Sequence, residues 1–135
     1  MPFYKNDEQI YTVMDVLIAR LRNEKPNPVD ALSSSHMNVR ITLSDPAAQI
    51  TFQGKKRPVN VIYGLSDGRA TLEISMTADQ MHLILLDKYS IKKGFTSGEL
   101  KVRGPVWKAM SFAEIFAKGR EHYPQVLKDQ GLAYA

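Results

Sequence analysis

The side chains that could do chemistry are few and scattered. The three histidines are His36, His82 and His122. No two of them form a His-x-x-x-His pair, and no carboxylate stands beside them at metal-ligand spacing, so each reads as a surface or loop histidine. There is no cysteine, which excludes thiolate catalysis, disulfides and cysteine-ligated zinc or iron–sulfur sites. Ser33-Ser34-Ser35-His36 sets hydroxyls beside a base, but a serine run after Pro26 and Pro28 reads as linker. Neither a Gly-x-Ser-x-Gly elbow nor a phosphate-binding glycine loop occurs. Glu73, Asp79, Glu99 and Glu114 fall at exposed strand or capping positions, where a catalytic pair is not expected. The chain is therefore expected to be no enzyme and to use neither metal nor cofactor.

Lys55, Lys56 and Arg57, with Lys92, Lys93, Lys101 and Arg103, are the basic concentrations. The net charge is only +4, from 18 basic and 14 acidic residues. Nucleic-acid recognition would want aromatic residues interleaved with these cations. Phe52 and Tyr63 are the strand aromatics before residue 95, and both fit a core-facing register. No nucleic-acid partner is expected. The cations read as a solvated rim, or as a surface for transient attraction to anionic lipid headgroups.

The elements that would position these residues follow from periodicity. Ile10, Val13, Met14, Leu17, Ile18 and Leu21 recur at three- and four-residue steps, predicting a helix over 7–23 capped by Asn6 or Asp7 and stopped by Pro26 and Pro28. Residues 24–38 read as a loop. Period-two alternation over 39–44, 49–53, 59–63 and 70–76 predicts four strands. Asp45-Pro46, Gly54-Lys55-Lys56 and Asp67-Gly68 are the turns between them, the last a primed hairpin signal. Connections this short predict an antiparallel meander over 39–76 with one apolar face, in which Leu72, Ile74 and Met76 point inward. Thr77 to Gln80 is a capping box that opens a helix. Gly94 and Gly98 interrupt the chain before a short fifth strand at Leu100 and Val102. Ser111 to Glu114 suggests a second capped helix reaching about Lys118, and Pro124 to Gln130 a last short one. Helices gathered on one face of a mostly antiparallel five-stranded sheet make the fold α+β.

At 135 residues the chain suits one domain, 1–135, with 113–135 as a C-terminal helical extension. The start lacks a secretory signal, and the longest apolar runs, such as Val16 to Ala19, are far short of the roughly 20 residues of a spanning helix. Ala133-Tyr134-Ala135 is no targeting tripeptide. The expected location is cytoplasmic. Large, flexible apolar residues crowd the second half, among them Met76, Leu85, Phe95, Trp107, Met110 and Phe112. Such residues build a packed core, and they also line adaptable apolar cavities.

Residues 71–112 resemble the sterol carrier protein type-two domain. Thr71 to Met76 followed by a helix with Asp79 is similar to that family's last meander strand and acidic-started helix. Gly94-Phe95-Thr96-Ser97-Gly98-Glu99-Leu100-Lys101-Val102-Arg103-Gly104 resembles its most recognisable segment, aromatic-x-Ser-Gly-Lys-Leu-Lys-aliphatic-x-Gly. Ala109-Met110 falls where the family has a similar pair, and the resemblance extends over about residues 7–112. It departs at Ser90-Ile91, where many members have Asn-Pro, at Thr96 and at the bulky Trp107. The resemblance implies an apolar tunnel between sheet and helices for a fatty acid, acyl-CoA or sterol-like lipid. By inward periodicity its lining would be Leu72, Ile74, Met76, Leu85, Phe95, Trp107, Met110 and Phe112, with Leu17 or Leu21 from the first helix. The expected function is non-catalytic lipid binding or transfer. The alternative is an accessory interaction module with a largely filled cavity.

Overall fold

The computed structural model describes residues 2–66 and 68–132. Asp67, half of the expected hairpin turn, and the terminal 133–135 tripeptide lie outside the described residues. Helix α1 spans Asp7–Arg22, with the Asn6 side chain accepting from the Gln9 N–H, acidic residues in its first turn and arginines in its last. Both ends thus complement the orphan backbone groups and the helix dipole. Its stripe from Ile10 to Leu21 is buried as the periodicity predicts.

Five strands follow: β1 Asn38–Ser44, β2 Ala48–Gln53, β3 Asn60–Tyr63, β4 Leu72–Thr77 and β5 Lys101–Arg103. They form one sheet in the order β3-β2-β1-β4-β5. The sheet is mostly antiparallel, but the expected meander over 39–76 is corrected at its last step. β4 pairs not with β3 but with β1, in parallel, placing Val39 beside Leu72, Ile41 beside Ile74 and Leu43 beside Met76. A parallel return usually needs a dozen residues or more. Here 64–71 suffices, because Tyr63 ends level with Ile41, only two residues beyond the level at which Leu72 begins. Three strand spacings of about 4.8 Å lie well within its extended reach. Arg40 on the outer face holds the crossing, its Nη2 donating to the carbonyls of Ser66 and Gly68 at 3.4 and 3.1 Å. The outer face is polar apart from Ile62, and the inner face is apolar, with only the Tyr63 hydroxyl at its edge bonding Asp15. Leu72, Ile74 and Met76 point inward as expected.

Three further helices complete the fold: α2 Ala78–Leu85, α3 Ile91–Ser97 and α4 Val106–Asp129. α2 opens with the expected Thr77–Gln80 capping box. α3 was not expected from its glycines. Gly98 ends it at φ +82°, and Gly94 sits inside it because a Cβ there would lie 2.6 Å from Leu100 Cγ. α4 replaces the two short helices expected after Ser111. Pro124 removes one backbone donor inside it, yet Tyr123, Val126 and Leu127 are fully buried around that point, and this packing outweighs the lost hydrogen bond. α4 packs on α1 and α2, and a Cβ at Gly119 would stand 3.1 Å from Leu85 and 3.6 Å from Leu17. The interior is filled at that level.

One buried polar cluster ties the chain start to this layer. His82, expected at the surface, is only 7% exposed. Its Nδ1 lies 2.7 Å from the Tyr123 hydroxyl, which also bonds the Tyr4 hydroxyl. Phe3 stacks on the His82 ring at 3.7 Å, and its backbone N–H donates to Asp79 at 3.0 Å. Neutral His82 accepting at Nδ1 lets Tyr123 donate to it and Tyr4 donate to Tyr123, so all three are satisfied. Burial lowers the His82 pKa below its ordinary value of 6.5, against a smaller opposing effect of Asp79. Burial likewise pushes the Tyr4 hydroxyl up to about 12.

Two outcomes follow from this packing. Leu85→Trp overpacks the junction with Gly119 and should lower unfolding free energy by about 1–3 kcal/mol in a denaturant titration; an unchanged midpoint would show free volume there. The unfolded chain takes up the His82 proton near pH 6.5 and the folded chain only below that, so stability is full above this pH and falls as the solution is acidified. Thermal melts should fall between neutral pH and pH 5 in the parent, with a flatter profile in His82→Gln. Tyr123→Phe should cost about 1–3 kcal/mol by leaving two buried partners unpaired.

Candidate functional site

Among the described residues the fold leaves open a cleft of about 1020 Å³ between the segment 24–36 and α4. Its first wall begins where α1 ends, with the Glu24 N–H still bonded to the Leu21 carbonyl. Asn27 then organises the turn. Its side chain accepts from the N–H groups of Val29 and Asp30 at 2.9 and 3.2 Å, starting a short 3-10 helix over Asp30–Ser35. Asp30 anchors this wall to the rest of the protein, pairing with Arg22 at 3.1 Å and accepting from the Val59 N–H at 3.0 Å. Arg57 adds bonds to the Ser33 hydroxyl and the Asp30 carbonyl. Val29 and Leu32 are buried beneath it.

The facing wall is α4. Pro26, Pro28, Ala31 and Leu32 from the first wall meet Ile115 and Ala117 from the helix, giving the cleft an apolar floor. Glu24, Lys25, Ser34 and His36 rim one side, with Glu114 and Lys118 on the other. Two lysines face two glutamates, so the rim is close to neutral. Glu24 Oε1 stands 3.5 Å from His122 Nε2, while Glu24 Oε2 is buried without a hydrogen-bond partner among the described residues. His122 Nε2 likewise lacks a hydrogen-bond partner among the described residues, so carboxylate and imidazole stand side by side with unmet bonding capacity. His122 is half-buried beside Glu24 rather than on an open loop.

The predicted lining residues lie elsewhere. Leu17, Leu21, Leu72, Ile74, Met76, Leu85 and Phe112 are all buried in one continuous core, and Phe112 meets Phe52 edge to face at 5.1 Å. Phe95 is half-buried at its margin. Trp107 is corrected: it is 77% exposed, so this position near the start of α4 faces solvent and not the core. The side chain of Met110 lies outside those described. The cleft is bordered by none of the nine predicted residues whose side chains are described, although Leu21 and Phe112 lie one helical turn from Glu24 and Ile115. Reading 24–38 as linker concealed the cleft. The signal present was Val29 and Leu32 three residues apart, apolar residues that a solvated linker would not need.

Among the described residues no group of three histidines, acids or cysteines is placed to hold a metal ion, and no helix is long and apolar enough to cross a membrane.

Known proteins give the arrangement a context. The family model described as the SCP-2 sterol transfer family matches residues 17–117. No curated protein matches the sequence. Among solved structures, the apo sterol carrier protein 2 of Yarrowia lipolytica is similar with a TM-score of 0.62 and 18% identity, covering 78% of this chain and 88% of that one. The sterol carrier protein domain 2 of Helicoverpa armigera gives 0.65 and 14%, over 83% and 88%. A structure described as a UbiJ-SCP2 ubiquinone synthesis protein gives 0.58 and 19%, over 78% and 90%. The five-stranded sheet with its helical layer is their shared fold. The matched segment takes in the end of α1 from Leu17, the whole sheet and the first half of α4, and by that match the chain belongs to the SCP-2 sterol transfer family, whose common ground is the binding or transfer of lipids and sterols.

Proposed function

We propose that this chain is a non-catalytic carrier of a lipid with a large apolar body and a small uncharged polar head, and that the cleft between 24–36 and α4 is where the lipid is held. The observation that carries this reading is the pairing of an apolar floor with the unpartnered, buried Glu24 Oε2. Turned slightly into the cleft that Glu24 borders, a carboxylate oxygen without a donor suits a hydroxyl, which can give it one. The balanced rim argues the same way. The carboxylate of a fatty acid or the phosphates of an acyl-CoA would face Glu24 and Glu114, whereas a sterol-like hydroxyl brings no charge to repel. A volume of about 1020 Å³ is at the upper end of the range that encloses small ligands. Burial of the apolar body supplies the affinity, at about 0.8 kcal/mol per methylene equivalent.

The cleft and the filled core respond differently to the same bulk. Ala117 is exposed on the α4 wall, so Ala117→Trp fills the cleft while leaving the melting temperature close to that of the parent. Titrated with a fluorescent sterol, the parent should bind and Ala117→Trp should bind at least about ten-fold more weakly, the loss expected when an indole occupies the ligand's place. Glu24→Gln should weaken the sterol and spare a fluorescent fatty acid. A parent that binds neither probe, or an Ala117→Trp variant that binds as well as the parent, overturns the assignment.

A further inference from the structure

The net positive charge of this protein comes from one stretch of the chain. From Lys88 to Lys108 there are six basic residues and one acidic residue, a net +5, while the entire chain carries +4. The remaining residues are therefore slightly acidic. The structure gathers this stretch in one place. Leu100 seats against Gly94, bringing α3 onto the start of β5, and β5 is the edge strand of the sheet. Val102 pairs with Ile74, which turns Val102 towards the core and Lys101 and Arg103 outward. Lys92, Lys93, Lys101 and Arg103 are all exposed, and no ion pair engages them among the described residues. The acidic member, Glu99, accepts a hydrogen bond from the Tyr89 hydroxyl. One or two turns of chain further on stands Trp107, 77% exposed and the only tryptophan.

We propose that the surface made by α3, β5 and the first turn of α4 docks on anionic lipid bilayers, with Trp107 entering the headgroup layer and Lys92, Lys93, Lys101 and Arg103 facing the lipid charges. Indole is the side chain best suited to that layer, apolar over its rings and with one N–H for water or headgroup. Several unpaired cations around it supply the attraction that a single indole lacks. A nucleic acid would also neutralise the cations, but stacking of successive bases needs a row of free aromatic platforms, and here Trp107 is the one widely exposed ring, with Tyr89 half-buried and tied to Glu99. Position along α4 favours the bilayer further. Glu114 and Lys118 of the cleft follow Trp107 by seven and eleven residues, placing each within about 20° of it around the helix, with Glu114 about 10 Å along its axis. Docking through Trp107 thus turns the cleft side of α4 towards the membrane. Docking itself stands without the cleft; only its service to cargo exchange rests on the carrier reading above.

Trp107 reports directly on the event. The full chain is mixed with vesicles of phosphatidylcholine, with and without phosphatidylglycerol, and tryptophan emission is followed with no cargo present. The expected result is a blue shift, and quenching by brominated acyl chains, on the anionic vesicles only. Both should fade at molar salt, where the screening length falls to about 3 Å. K92E/K93E, whose substituted positions are exposed, should keep the parent melt and lose at least about ten-fold in vesicle partitioning. Trp107→Ala should co-sediment less with the same vesicles. An unshifted emission with anionic vesicles, an equal shift with neutral ones, or undiminished partitioning of K92E/K93E overturns the proposal. A shift on a single-stranded oligonucleotide without one on vesicles overturns it in favour of nucleic acid. Sterol binding is measured separately, so failure here leaves the cleft reading intact and failure there leaves docking intact.

Discussion

The parallel pairing of β1 with β4 is the constraint from which the other contacts follow. Because Val39, Ile41 and Leu43 stand directly beside Leu72, Ile74 and Met76, the middle of the sheet presents one unbroken apolar surface on the inner side. A strand pair has no second way to hide such a surface: slipping by one residue would turn all of it outward. The helices must therefore lie on the inner side, and the return from β3 must cross on the other. Arg40 serves that crossing by spending its hydrogen bonds on loop carbonyls and its charge on Glu73, at 3.8 Å. Thr51, also on the outer face, is only 3% exposed as a result. A polar face carrying a loop and an apolar face carrying helices are two consequences of one pairing.

α4 links that core to the surface chemistry. Its inward residues, Phe112, Phe116, Tyr123, Val126 and Leu127, complete the helical layer, and Gly119 lets it come close enough to touch Leu17 and Leu85 at once. Its outward residues wall the cleft and carry Trp107. A helix held over most of its length by buried contacts moves as a rigid rod, so its outward face keeps a fixed geometry. The opposite wall is built differently. Segment 24–36 is held chiefly by the side-chain bonds of Asn27, Asp30 and Arg57, with Val29 and Leu32 as its apolar anchors. Local opening costs least where few apolar contacts are lost. The cleft thus pairs a firm wall with a yielding one.

How much of this could be read beforehand depends on the range of the interaction. α1 was legible because its caps and stripe are local, and so were the strands, since period-two alternation records which side chains face a core. Strand order was not legible. Alternation in Leu72 to Met76 marks an inward face without saying whether the neighbour is β3 or β1, and short turn signals favoured the wrong partner. Pro124 and the Ser111 capping pattern suggested breaks that long-range packing of Tyr123 and Leu127 overrides. His82 looked like a surface residue because its partners, Tyr4 and Tyr123, lie 78 and 41 residues away. A cavity is harder still to read, being the place where two surfaces fail to meet. Nothing in Ile115 or Ala117 alone marks it, and the bulky residues expected to enclose a tunnel instead fill the interior against one another.

The hydrophobic effect explains why a carrier of this construction would want its cleft and its cationic edge on the same side. Exposing one methylene to water costs about 0.8 kcal/mol, so a lipid with the equivalent of about sixteen methylenes faces an aqueous barrier of about 13 kcal/mol if it leaves a bilayer unaided. A binding cleft lowers the end state without changing that barrier, unless the lipid can pass from bilayer to protein without crossing water. Charge alone brings the protein to the surface but leaves it free to rotate there, since attraction acts over a screening length of about 8 Å and has little orientation. An indole fixed on the rigid α4 removes that freedom. Once Trp107 sits in the headgroup layer, Glu114 and Lys118 on the same helix face are held about 10 and 16 Å from it along the axis. The distance a lipid must travel through water then shrinks to the width of the interface itself, and orientation rather than affinity sets the rate.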